Sequence, residues 1–218
     1  MGKNLRLKID LHVHTIYSKD SLIKIEDIVP RCKALGIDGI AVTDHETLKG
    51  GVIAVEKCAE ILVIPGMEIE TQQGHVLGLN LEKRVKGGLS FIETIKRIKE
   101  LGGTAIIAHP YSLIRPLLDV DILIASKPNA IEVANAASFP YSWMLRINQA
   151  LASKVNLPMT GGSDAHIPQT IGRAYTLVDS DSRDVSDILK AVREGRTDVQ
   201  GRGITLQERF QKIIKWNK

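Results

Sequence analysis

The chain of 218 residues is 44% hydrophobic and 25% charged, with 4% aromatic residues and a net charge of +4. These values suit one globular domain with an aliphatic core, or one domain with a small appendage. No run of 18 apolar residues argues for a membrane span, and residues 1–8 lack a signal-peptide apolar stretch, so the expectation is a cytoplasmic protein.

In chain order, a strand is predicted over 7–11, a helix over 25–35, a strand over 39–43 and a helix over 50–59. Two strands follow, over 62–69 and 76–79. A helix over 91–101 places Phe91, Ile92, Ile95, Ile98 and Leu101 at helical spacing and stops at Gly102-Gly103. Strands over 104–108 and 130–133, a helix over 141–152 and a strand over 158–161 continue the alternation. A helix over 185–194 has Ser186 and Asp187 as candidate caps. Cys32 and Cys58 fall in helical patterns without metal-type spacing, which fits reduced core residues better than a disulfide or zinc site. Residues 193–218 carry seven Lys or Arg against three acidic residues. Such a basic end could contact a polyanion, or simply form a solvated helix face.

Alternating strands and helices predict a mostly parallel sheet, with about seven strands fitting a closed barrel as readily as an open sheet. The histidines add position to that picture. All six lie at or just after a predicted strand: His12, His14, His45, His75, His109 and His166. Asp10, Asp20, Asp44, Glu68, Glu132 and Asp164 fall at matching places. In a parallel barrel the carboxyl ends of strands converge on one face. Alternation puts His12 and His14 on one side of an extended segment, within reach of one ion. Imidazole suits zinc, manganese or iron, and a carboxylate can bridge two ions. This donor set exceeds what one four-coordinate ion requires, so two or three divalent ions are expected. Glu68 follows the apolar run 62–64 and a Pro65-Gly66 turn, which suits a side chain aimed into the barrel mouth.

Six stretches carry a family resemblance. They are Asp10-Leu11-His12-Val13-His14-Thr15 with Tyr17-Ser18-Lys19-Asp20 after it, Val42-Thr43-Asp44-His45, Pro65-Gly66-Met67-Glu68-Ile69, Gly74-His75-Val76-Leu77-Gly78, Ala108-His109-Pro110, and Gly162-Ser163-Asp164-Ala165-His166. In this order they resemble the PHP (polymerase and histidinol phosphatase) family, most closely its stand-alone metal-dependent phosphoesterases. The resemblance implies a distorted seven-stranded (β/α) barrel, TIM-barrel-like, as one domain over 1–218, with 167–218 as its carboxyl-terminal segment. It also implies a trinuclear centre. His12, His14, Glu68 and Asp164 would surround one ion, Glu68 would bridge to a second held by His75 and His109, and Asp20, His45 and His166 would hold a third. The family often has His where this chain has Asp20.

Clustered ions lower the pKa of a bound water and supply hydroxide, so no nucleophilic side chain is needed. Asp164, His45 and His166 are the expected catalytic residues, and either His could instead protonate the leaving group. Lys19, Arg115 and Arg173 could clamp a substrate phosphate, or be surface charges and structural ion pairs. The expected partner is a small phosphorylated substrate or a nucleic-acid end: a nucleotide, nucleoside bisphosphate, oligonucleotide end or sugar phosphate. The rivals are a histidinol-phosphate phosphatase, a non-catalytic RNA-binding subunit of the RNase P type, and an amidohydrolase. The last would want a longer chain and often a bridging lysine.

Overall fold

The computed structural model describes residues 5–111 and 118–216, with side chains to residue 211. Its elements are β1 (Leu5–Val13), α1 (Ile25–Leu35), β2 (Gly39–Val42), α2 (Lys49–Lys57), β3 (Leu62–Glu70), β4 (His75–Leu79), α3 (Phe91–Glu100) and β5 (Thr104–Ala108). They continue with α4 (Val120–Ser126), β6 (Ala130–Asn135), α5 (Tyr141–Lys154), β7 (Met159–Gly162), β8 (Ala174–Ser180), α6 (Val185–Arg193), β9 (Thr197–Gly201) and α7 (Leu206–Trp216).

The sheet has nine strands in the order β7-β6-β5-β4-β3-β2-β1-β8-β9, two more than the sequence patterning predicts. β9 reads Thr-Asp-Val-Gln-Gly and is largely exposed, so it offers no apolar signal of its own. The sheet is also less parallel than expected. β1, β2 and β3 pair in parallel, as do β5, β6 and β7, but β4 runs antiparallel to both neighbours and β8 and β9 are antiparallel too. The far edge curls back on the first strand: the Asp164 N–H donates to the His12 carbonyl (2.8 Å) and the His14 N–H to that of Ala165 (3.0 Å). The result is a nearly closed, barrel-like sheet.

Pro65 and Gly66 do not form a turn. They continue β3, with Pro65 opposite Val42 and Gly66 opposite Leu79. Helix α6 starts from Asp184 rather than from Ser186 or Asp187, and the Asp187 carboxylate instead accepts from the Ser182 hydroxyl (2.7 Å). Helix α3 begins as its sequence dictates. Ser90 accepts from the Glu93 N–H while the Glu93 carboxylate reaches back to residue 90, a capping box.

One apolar cluster draws Leu7, Ile9 and Leu11 of β1 together with Ile64, Leu77 and Ile106, and α6 closes it with Ile188, Leu189 and Val192. A second lies between the sheet and α3, α4 and α5, and a third packs α1 and α2 on β1 and β2. Both cysteines are free and buried in the third, and burial pushes the Cys32 thiol up to about 12. Each fully buried Ile or Leu here contributes roughly 1.5–3 kcal/mol of transfer free energy. With interior and flanks filled by aliphatic side chains, the polar residues collect at one rim.

Candidate metal centre

The register between β1 and β2 shifts between Asp10 and Val13. Before the shift Leu7, Ile9 and Leu11 face the interior cluster; after it Val13 packs with Ile23 and Ile40, and His12 and His14 turn to the rim. Such an irregularity re-aims side chains without breaking the strand. β3 brings Glu68, and β5 and β7 deliver His109, Asp164 and His166 just beyond their ends. β4 runs the other way, so its first residue, His75, reaches the same rim. His109 (φ 30°) and Asp164 (φ 51°) are held in left-handed backbone. That conformation costs a non-glycine residue about 1 kcal/mol or more. The His109 N–H bonded to Glu132 Oε2 (3.0 Å) and the Asp164 N–H bonded to His12 O hold it in place.

Glu68 is the hub. Its carboxylate is buried, and five imidazoles approach it: His75 Nδ1 at 2.6 Å, His45 Nδ1 at 3.2 Å, His109 Nε2 at 3.2 Å, His14 Nε2 at 3.3 Å and His12 Nε2 at 3.4 Å. Asp164 Oδ1 lies 3.3 Å from His14 Nε2 and 3.6 Å from His12 Nε2. His45 and His166 face Asp20 on the outer side, at 3.6 and 2.7 Å. Four groups of donors lie close enough to share an ion: His12, His14 and Glu68; Glu68, His75 and His109; His14, His45 and His166; and His12, His109 and Asp164.

Hydrogen bonds behind the rings fix which nitrogen faces inward. His12 Nδ1 donates to Glu132 Oε1 (3.0 Å) and His166 Nδ1 to the Asp164 carbonyl (2.8 Å). The Ser18 hydroxyl donates to Asp44, so His14 Nδ1 donates to Ser18 Oγ (3.1 Å). That leaves Nε2 of His12 and His14 as lone-pair donors only 3.0 Å apart, and Nε2 of His166 facing Asp20. Lone pairs and carboxylate oxygens converging in a buried space repel unless a cation sits among them. Protons are one such cation. Burial opposes charge on His12, yet Glu132, Asp164 and Glu68 outweigh it and hold its pKa well above the ordinary value. His14 rises to about 9 against the same burial, through bonds to Asp164 and Glu68, and His109 rises through Glu68. Burial would raise Glu68 and Asp164, but the facing imidazoles, His12 foremost, hold both well below the usual carboxylate range. A divalent ion would satisfy the same donors, since nitrogen and oxygen ligands of this kind suit divalent metals.

Several acidic residues that stand beside the histidines in sequence are braces. Fully buried Asp10 accepts backbone N–H groups from Ser163 (2.8 Å), Gly172 (2.8 Å) and His12 (3.3 Å), tying β1 to the loop after β7. Burial pushes its pKa up to about 6. Asp44 accepts from the N–H and hydroxyl of Thr15 and from Ser18, fixing the turn after β1. Glu132 orients His12 from behind. Sequence reasoning missed Asn135, whose amide donates to Glu132 Oε2 (3.0 Å) and Asp164 Oδ2 (3.2 Å). An Asn two residues after an apolar strand run carries no signal of its own.

Three basic residues are the expected phosphate clamps. Lys19 is exposed on the turn between β1 and α1, Arg173 pairs with Glu208 of α7, and Arg115 lies outside the described residues. Among the described residues no helix is long and apolar enough to cross a membrane.

Comparison with known proteins places this geometry. A family model described as PHP-associated matches residues 146–197. An uncharacterized protein of Methanocaldococcus jannaschii is 40% identical over 142 residues, covering 60% of this chain and 82% of its own. A 5′-3′ exoribonuclease of Haemophilus influenzae is 32% identical over 100 residues, 43% of this chain and 36% of its own. A crystal structure from Bacteroides vulgatus, a two-domain protein containing a predicted PHP-like metal-dependent phosphoesterase, superposes with a TM-score of 0.75 at 20% identity, over 97% of this chain and 70% of that one.

Proposed function

The chain belongs to the PHP family, and on that premise we propose that it hydrolyses a phosphate ester at two or three divalent ions held on the histidine-rich rim. The observation that carries the reading is Glu68, one buried carboxylate facing five imidazole nitrogens within 3.4 Å. In this reading His12, His14, Glu68 and Asp164 hold one ion, Glu68, His75 and His109 a second, and Asp20, His45 and His166 a third. Zinc, manganese or iron held there would lower the pKa of a water and offset charge on the phosphoryl oxygens.

The protein's own part is positioning. Glu132, Ser18 and the Asp164 carbonyl fix three rings, with Nε2 of His12 and His14 facing Glu68 and Nε2 of His166 facing Asp20, so little reorganisation is needed when an ion arrives. The His45 side chain is about one third exposed and sits beside Asp20, placed to pass a proton to a leaving oxygen if it is not a ligand; His166 shares that position. Among substrates, similarity to a 5′-3′ exoribonuclease favours a nucleotide or a nucleic-acid end over a sugar phosphate. Two free buried thiols support a cytoplasmic setting.

A panel of phosphate mono- and diesters, assayed with manganese, zinc and iron in turn, tests the reading. Metal-dependent release of phosphate or nucleotide, abolished by a chelator, is expected. Failure to cleave any ester with any of the three metals would overturn it.

A further inference from the structure

Between α1 and the β8–β9 pair opens a pocket of about 340 Å³ whose wall contains no residue of the metal centre. It carries three arginines, Arg31 of α1, Arg173 before β8 and Arg202 after β9, and no acidic residue. Arg31 Nη2 donates to the Gln169 carbonyl (2.8 Å). Among the described residues neither Arg31 nor Arg202 pairs with a carboxylate, whereas Arg173 does, through Glu208. The Nε–H groups of Arg31 and Arg173 are both buried without a hydrogen-bond partner. A buried cationic donor without an acceptor is destabilising, and two of them on one pocket wall fit a site that a ligand completes.

The rest of the wall extends the same chemistry. Tyr175 donates its hydroxyl to Gln200 Oε1 (2.9 Å), which leaves the Gln200 amide nitrogen as a further donor. The Lys8 ammonium lies 6.0 Å from the centroid of the Tyr175 ring and adds a fourth positive charge nearby. Backbone bonds hold the frame: the Arg202 N–H donates to the Arg173 carbonyl (2.8 Å), and the Gly172 N–H to Asp10 Oδ2 (2.8 Å). The segments that carry Arg173 and Arg202 are therefore joined before any ligand arrives.

We infer that this pocket is a second ligand site, separate from the metal centre, for a phosphate group that is free or carried by a small organic molecule. Two guanidiniums without a carboxylate partner match the double charge of a phosphate, whereas a carboxylate needs only one, and their planar forks suit its oxygens. A round pocket of this volume is about 9 Å across, so a bound phosphate leaves room for an organic group against Leu35, Ile37 and Tyr175. Because no metal donor lines the pocket, the ligand is held there and not cleaved, whatever the rim hydrolyses.

Calorimetric titration with inorganic phosphate and with the methylenephosphonate analogue of adenosine monophosphate would compare wild type, Arg31→Met, Arg202→Met and Lys154→Met. Lys154 is exposed at the end of α5, so its loss removes the same charge elsewhere. Titrating both manganese-loaded and chelator-treated protein separates binding at the metals from binding in the pocket. Chelator-treated wild type should still bind. Arg31→Met and Arg202→Met should each weaken that binding at least tenfold, the scale of one charge-assisted contact, while Lys154→Met stays within about threefold of wild type. Manganese content and p-nitrophenyl phosphate turnover should be unchanged in all three variants. Equal affinity for the two probes identifies free phosphate as the ligand, and tighter binding of the analogue identifies a phosphorylated organic molecule. No binding of either probe to chelator-treated wild type, equal affinity in wild type and both arginine variants, or an equal loss in Lys154→Met overturns the site.

Discussion

Replacing Glu68 by Gln removes one charge and keeps nearly the same shape. In the native protein Glu68 Oε2 lies 3.3 Å from His14 Nε2 and 3.4 Å from His12 Nε2, while Oε1 lies 2.6 Å from His75 Nδ1 and 3.2 Å from His109 Nε2. A unit charge pair at 3.3 Å and an effective dielectric of about 20 is worth roughly 5 kcal/mol, and a divalent ion in that space gains up to twice as much. Part of the loss is recovered, because Asp164 stays 3.3 Å from His14 Nε2 and the amide oxygen can still coordinate. A net loss of about 2.7 kcal/mol, or 100-fold in affinity, is therefore a lower expectation for each ion that shares this carboxylate. The assay is manganese titration of chelator-treated protein by calorimetry, with elemental analysis after gel filtration and a melting curve of the metal-free form. The variant should lose more than one ion per chain at a concentration that saturates wild type. Full metal content and unchanged affinity, with only a modest shift in melting temperature, would mean that Glu68 is a structural carboxylate and that no ions share it.

Asp164→Asn and His12→Ala should each abolish ester hydrolysis while leaving the circular-dichroism spectrum intact; near wild-type turnover in either would show the site to be misplaced. Glu132→Gln should weaken metal binding by about 10- to 100-fold, the usual effect of losing the group behind a ligating histidine, and titration would show it. Gly162→Ala should weaken metal binding too, since an added Cβ would overlap the His12 side chain and lie 2.8 Å from its amide nitrogen and 2.9 Å from Glu132 Oε1; unchanged stoichiometry and affinity would count against that packing. Metal-free protein should melt highest in mildly acidic solution. The raised pKa of His14 stabilises the fold below its unfolded value near 6.5 and is lost as pH climbs through about 9, and Asp10, raised to about 6, costs stability as pH climbs from its ordinary value of 3.8 to about 6. Glu68 and Asp164, both lowered, stabilise above the unfolded carboxylate range and are lost as pH falls below it. Bound metal should remove the alkaline loss, because it replaces those protons; a metal-free melting temperature that rises from pH 6 to 9 would contradict the charge arrangement.

The sequence by itself carried the parts of this protein that are local. Helix α1 was readable to both ends from its apolar spacing, and α3 from spacing that Gly102-Gly103 cuts short. The six histidines were readable because each is pinned to a strand end, and strand ends in such a sheet share a rim. What sequence reasoning could not supply was pairing direction and register. β4 runs antiparallel, β8 and β9 extend the sheet beyond β1, and Pro65-Gly66 lies inside β3. Those outcomes depend on which strands meet, a contest between distant segments that local propensity does not record. The same limit separates ligand from brace. Asp10, Asp44 and Glu132 stand beside histidines in sequence just as Asp164 does, yet only folding decides that Asp10 turns to three backbone N–H groups, Asp44 to Thr15 and Ser18, and Glu132 to the back of His12. A register shift in β1, set by its pairing with β2, turns His12 and His14 to the rim while Leu11 stays in the core. Residue type and spacing chose the donors, and long-range backbone pairing chose where each of them points.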